Sequence, residues 1–150
     1  METNDSPSIP PVSWRLHLKS PPEKAFMLWT TDEGRIQFWV ELSESNEKEF
    51  QLTFINGETV TCRIIKILPY ESFDFTYFEG TTVQLKFEKT PDGGTDFKLT
   101  ESGYKTLEHR NLHYAGWLNV LFPFKAMCDY GIDLRNHDRT RTWEEGFADC

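Results

Sequence analysis

The chain has no run of about 18 apolar residues, the length that a bilayer-spanning helix needs, so no transmembrane segment is expected. Positive charge is in short supply. Sixteen Lys and Arg face 24 Asp and Glu, a net charge of −8, which excludes a nucleic-acid backbone as an expected partner. Cysteine is scarce too. Cys62, Cys128 and Cys150 are odd in number and far apart, which suits free thiols in a reducing cytoplasm and matches no metal-ligand spacing. The sequence contains no phosphate loop, no nucleophile motif and no paired-carboxylate signature. Met1–Pro11 lacks the basic start and apolar centre of a signal peptide. Its polar, Pro-rich composition predicts a disordered lead, residues 1–11. No cofactor, no metal and no catalytic residue is therefore expected, and the protein reads as a binding protein more than as an enzyme.

Aromatic residues are abundant: twelve Phe, five Trp and five Tyr. A chain of this length buries about 70% of its unfolded surface, enough for a core with an internal cavity. Ser13 to Lys19 alternates Trp14, Leu16 and Leu18 with polar residues, the pattern of a half-buried strand. Ser20-Pro21-Pro22-Glu23 predicts a helix start, with Ser20 as cap, Pro21 at the first helical position and Glu23 closing a capping box. Ala25, Phe26, Leu28 and Trp29 form the buried side of that helix. A second short helix runs from Glu33 to Trp39, with Ile36 and Trp39 inward. Both short helices must pack on a sheet edge, having too few apolar anchors to stand alone.

Glu41 to Glu49 is charged and reads as a loop. From Phe50 the period is two. Five strands follow, around Phe50–Phe54, Glu58–Leu68, Phe73–Tyr77, Val83–Glu88 and Phe97–Thr100. Turns at Asn56-Gly57, Pro69-Tyr70-Glu71, Glu79-Gly80 and Pro91–Gly94 join them into an antiparallel meander. Adjacent Ile64 and Ile65 predict a bulge or a fully covered segment.

Leu107 to Tyr130 reads as one long amphipathic helix. His109, His113, Gly116, Trp117, Val120, Phe124, Met127 and Cys128 share one side. Gly116 would let the sheet approach closely, and Pro123 should kink the rod. The tail, residues 132–150, is charged but carries Trp143 and Phe147 one turn apart. Thr142-Trp143-Glu144-Glu145 has the form of a capping box, and both aromatics are expected to pack on the domain of residues 12–131.

Strand, two short helices, meander and long helix is the helix-grip order. Ser20–Phe26, Trp29–Gly34 followed by Trp39, Gly116-Trp117, Gly131–Asp138 and Arg141–Gly146 resemble the SRPBCC (START and birch-allergen-like) superfamily. The branch they resemble is the bacterial one related to the activator of the heat-shock protein 90 ATPase. The resemblance implies an α+β helix-grip fold, with a curved antiparallel sheet, two short helices and one long C-terminal helix. The superfamily hosts ligand carriers, cyclases and aromatases, and chaperone regulators on this one scaffold.

A helix gripped by a curved sheet leaves a cavity between them. The expected ligand-binding residues are Trp39, Phe73, Phe75, Tyr77, Phe87, Phe97, His113, Trp117, Val120, Phe124 and Met127, with Val83 and Leu85 in the same wall. An aromatic wall with Tyr77 and His113 as polar handles suits an apolar, aromatic or lipid-like small molecule. His113 should hydrogen-bond Tyr77 or a backbone carbonyl, or else serve as a proton donor. His109 and His113 lie one turn apart, but no third metal ligand is placed by the sequence. The alternatives are a cyclase- or aromatase-type enzyme using His113 and Tyr77 as an acid–base pair, and an interaction module that contacts a chaperone.

Overall fold

A computed structural model describes residues 8–150. Positions 1–7 of the expected disordered lead lie outside them. The remainder of that lead is held, because Arg110 donates to the Pro10 and Pro11 carbonyls at 3.2 and 3.3 Å. The chain runs β1 (Val12–Leu18), α1 (Pro22–Thr30), α2 (Asp32–Phe38), then six strands and α3 (Leu107–Tyr130). The six are β2 (Leu42–Ser45), β3 (Glu49–Thr53), β4 (Thr59–Leu68), β5 (Ser72–Thr76), β6 (Thr82–Lys89) and β7 (Thr95–Ser102). They form one curved antiparallel sheet in the order β1-β7-β6-β5-β4-β3-β2. The fold is α+β, the helix-grip arrangement expected.

Three local expectations are corrected. The meander has six strands, not five, because Leu42–Ser45 pairs with β3 in the stretch read as a loop. As an edge strand it buries nothing completely, so it leaves no apolar alternation to detect. Ser20 does not cap α1. Pro21 is the N-cap and forms no side-chain cap bond, and Pro22 follows as the first helical residue. Ser20 sits one residue too early, and its hydroxyl donates instead to the Cys128 carbonyl at 2.8 Å. In α2, Ile36 faces solvent while Arg35 is buried. The Arg35 guanidinium donates to the Trp29 carbonyl, to Ser43 Oγ and to Asp32 Oδ1, and it stacks over Phe50 at 4.3 Å. A charge satisfied on every side can occupy the core-facing position that the apolar pattern assigned to Ile36. Helix α3 runs as one element from Leu107 to Tyr130 with Pro123 inside it. The register does shift between Ile64 and Lys66, the irregularity expected there.

Helix α1 turns directly into α2, with the Thr31 hydroxyl accepting from the Gly34 N–H at 2.9 Å. A Cβ on Gly34 would lie 2.5 Å from Leu28 Cα, so only glycine permits this close approach. The core is solid where α1, α2, the sheet and the C-terminal half of α3 meet. Trp29 lies 5.0 to 5.6 Å, ring to ring, from Phe38, Phe97 and Phe124. Each fully buried aromatic contributes about 1.5–3 kcal/mol. Asp129 fastens the end of α3 by accepting the Lys19 and Ser20 backbone N–H groups at 2.9 and 3.1 Å.

The tail follows a left-handed Gly131 that closes α3. Arg135 is its anchor: buried, it donates to the Val40 and Ile36 carbonyls at 3.0 and 2.7 Å. Thr142 and Glu145 form the capping box read from the sequence. Trp143 and Phe147 stay 37% and 38% exposed, so they rest on the surface instead of entering the core.

Candidate functional site

In β7 the inward phase set by Phe97 and Leu99 continues to Glu101, so a carboxylate points where an apolar side chain would be expected. Glu101 is completely buried. It accepts from Thr81 Oγ1 at 2.5 Å, the Tyr104 hydroxyl at 2.5 Å, Trp117 Nε1 at 2.7 Å and His113 Nδ1 at 2.8 Å. Burial opposes its ionisation, but the donors from His113, Thr81 and Tyr104 outweigh burial and hold the carboxyl below its ordinary range. Two of the four donors lie on α3. Glu101 therefore fastens the N-terminal half of the helix to the sheet through polar bonds instead of apolar packing.

His113 does not bond Tyr77 or a backbone carbonyl. Its Nδ1 meets Glu101, and its Nε2 lies 3.0 Å from His109 Nε2, so a single proton lies between the two rings. Tyr77 stands edge-on to the His113 ring at 5.8 Å between centroids. Burial pushes the Tyr77 hydroxyl well above its ordinary value. The Trp39 indole N–H, although buried, has no acceptor among the described residues. Among the described residues no group of three His, Cys, Asp or Glu is placed to hold a metal ion. Among the described residues no helix is long and apolar enough to cross a membrane.

Beside this cluster a cleft of about 190 Å³ opens between the sheet, α3 and the tail. This exceeds the space of a single water many times over. Its aromatic wall is Trp39, Phe54, Tyr77, Phe78 and Trp117, and its helix side is Leu112, His113, Gly116 and Val120. Tyr77 stacks on Trp117 at 5.0 Å, and Trp39 lies 6.0 and 6.2 Å from those two rings. Asn56, Glu58, Arg135, Thr142, Trp143 and Glu144 are among the rim residues. A Cβ on Gly116 would meet nothing within 4 Å. This glycine opens space in the cleft; it does not bring the sheet closer, as the sequence suggested.

Of the residues expected to bind a ligand, Trp39, Tyr77, His113, Trp117 and Val120 line this cleft. Phe73, Phe75, Phe87, Phe97 and Phe124 do not; they are packed in the core with Val83 and Leu85, and Met127 is half-buried at its edge. Sequence reasoning missed Phe54, Phe78, Leu112 and the rim. Phe54 and Phe78 lie just past strand ends, and the rim comes partly from a tail whose docking no local pattern reports. Glu101 could have been found from the unbroken alternation Phe97, Leu99, Glu101.

Fold and cleft together define a helix-grip protein of the SRPBCC type. The chain belongs to the Activator of Hsp90 ATPase homolog 1-like family, whose model matches residues 19–129. Among solved structures, a Staphylococcus saprophyticus protein is similar at 19% identity, over 84% of this chain and 96% of that one, with a TM-score of 0.74. The Aha1 dimer of Colwellia psychrerythraea is similar at 20% identity, over 81% and 98%, with a TM-score of 0.73. DynU16, a protein of the dynemicin biosynthetic locus, is 12% identical over 82% of this chain and 48% of that one, with a TM-score of 0.69. A search of curated proteins finds no match.

Proposed function

We propose that the protein binds a small apolar molecule, aromatic or lipid-like, in the cleft between the sheet and α3, and does so in the cytoplasm. Trp39, Tyr77, His113, Trp117 and Val120 are the contact residues in this reading. The observation that carries it is the group of three rings, Trp39, Tyr77 and Trp117, beside open space. A concave, mainly aromatic surface with a few polar groups is the usual form of a small-molecule site. At about 190 Å³ the cleft suits a ligand smaller than a typical drug. Kinship in fold with a protein of a biosynthetic locus agrees with this reading. NMR titration with a panel of hydrophobic ligands tests it: the indole signals of Trp39 and Trp117 should shift together. A panel that leaves both unmoved would sink the proposal.

Two other functions are weighed against it. A cyclase- or aromatase-type enzyme needs His113 free to exchange a proton with substrate, and Glu101 and His109 occupy both of its nitrogens. A chaperone-regulating role is suggested by the family's description. It predicts a changed Hsp90 ATPase rate when the protein is added, and an unchanged rate removes it.

A further inference from the structure

We propose that the cleft selects a cationic ligand: a small apolar molecule bearing an ammonium group, its body against the Trp39, Tyr77 and Trp117 rings and its charge at the rim. The inference rests on the cleft being a binding site and adds the chemical class of what enters it.

Among the described residues, two carboxylates of the rim have no counter-charge. Glu41 is answered by His137 at 2.8 Å and, more distantly, by Arg135 at 3.8 Å. Glu58 and Glu144 are not. Both accept from the same neutral amide, Asn56 Nδ2, at 3.0 and 2.8 Å. Their oxygens are thus no farther apart than those two bonds together allow. Among the described residues no Lys, Arg or His lies in ion-pair range of either. Two like charges bridged by one amide repel, and a cation between them reverses the sign of that interaction. Arg135, the cation on this rim, is committed to Asp133 and to two backbone carbonyls.

The aromatic wall favours the same charge. Ring faces carry negative potential and attract cations. The protein's own cations stack elsewhere: Arg35 on Phe50, Lys19 on Tyr130 and Arg110 on Tyr114. Trp117 also donates its indole N–H to the buried Glu101 at 2.7 Å, which polarises the ring toward greater electron density. An anionic ligand would instead meet Glu58, Glu144 and the field of Glu101.

The test is a matched trio titrated into the intact protein: 4-phenylbutylamine, 4-phenylbutanol and 4-phenylbutanoate. The readout is the Trp39 and Trp117 indole signals. The amine should bind about tenfold or more tightly than the alcohol, and the carboxylate more weakly still. The preference should shrink as salt rises. In the double variant Glu58→Gln, Glu144→Gln the amine-over-alcohol ratio should fall to near one, while the alcohol still shifts both indole signals and so reports an intact cleft. If the alcohol binds but the amine binds no better, or if the double variant keeps the preference, the cationic assignment is overturned and the small-molecule reading stands. If no member of the trio moves the indole signals, both fall.

Discussion

The two halves of α3 meet the same sheet in opposite ways. At the C-terminal half, Phe124 inserts between Trp29, Phe38 and Phe97 with ring separations of 5.0 to 5.2 Å, and all four rings are buried. At the N-terminal half the inward positions are His109, His113, Gly116 and Trp117, and the helix stands beside an open cleft. Each half is fastened by a buried carboxylate, Asp129 at one end and Glu101 at the other. The fastening is alike, so the filling makes the difference. Interlocked rings close one half, while a glycine and polar side chains hold the other apart. One helix therefore supplies both a packed core and one wall of an open cleft.

The sharpest way to break this division is a pair of truncations one turn apart. Phe124→Ala should cost about 3–5 kcal/mol in urea denaturation. Val120→Ala, which faces the cleft, should cost about 1 kcal/mol or less. Equal costs would mean that the two halves are packed alike.

Next in size is Glu101→Gln, which leaves its donors imperfectly matched and should cost about 1–3 kcal/mol. The pH dependence carries the same information. Because the folded carboxyl is held low, Glu101 adds stability at pH above its ordinary value of about 4.3, and loses it as pH falls through the lowered value. The wild-type protein should therefore lose stability in acid more steeply than the Gln variant. Parallel acid limbs would show that the clamp contributes nothing through its charge.

Removing residues 133–150 deletes the Arg135 anchor and part of the cleft rim. The melting temperature should fall by several degrees, on the scale of about 2–8 °C per kcal/mol for domains near this size. An unchanged melting temperature would show the tail to be energetically detached.

Gly116→Ala should act in the opposite direction. Its Cβ meets nothing, so helix propensity should raise stability by up to about 1 kcal/mol while narrowing the cleft and weakening 4-phenylbutanol binding. A loss of stability would mean that the sheet does touch this position. The smallest effect expected is at His137. The hydrogen bond to Asp133 raises its value against partial desolvation, so its contribution is present below about pH 6.5 and is lost as pH rises through the raised value. Hydrogen-exchange protection in the tail, taken relative to the intrinsic rate at each pH, should fall across that range in the wild type and stay level in His137→Gln.

Most of the fold was legible in the sequence, and the reasons lie in particular residues. Strict alternation at Phe73 and Phe75 and at Val83, Leu85 and Phe87 named the inner face of the sheet. Asn56-Gly57 located a hairpin, and the limits of α3 followed from a long apolar stripe ending at Gly131. The edge strand around Leu42 stayed hidden because a half-solvated edge needs no apolar pattern. Arg35 was hidden behind Ile36 because hydropathy ranks a guanidinium as solvent-facing, whereas three acceptors and an aromatic face made it a core residue. The candidate site was legible only at Trp39, Tyr77, His113, Trp117 and Val120.

The sequence by itself determined direction. A strand's side chains alternate and a helix repeats every 3.6 residues, so local geometry already decides that Phe97, Leu99 and Glu101 share one face and that His113 and Trp117 share another. Only the tertiary structure decided occupancy. Whether inward-pointing side chains meet or leave a gap depends on how far α3 stands from the sheet. That distance follows from groups far apart in the chain: Trp29 against Phe124, Glu101 against His113, Asn56 against Glu144. Packing is a sum over volumes brought together by folding, and no local period records it.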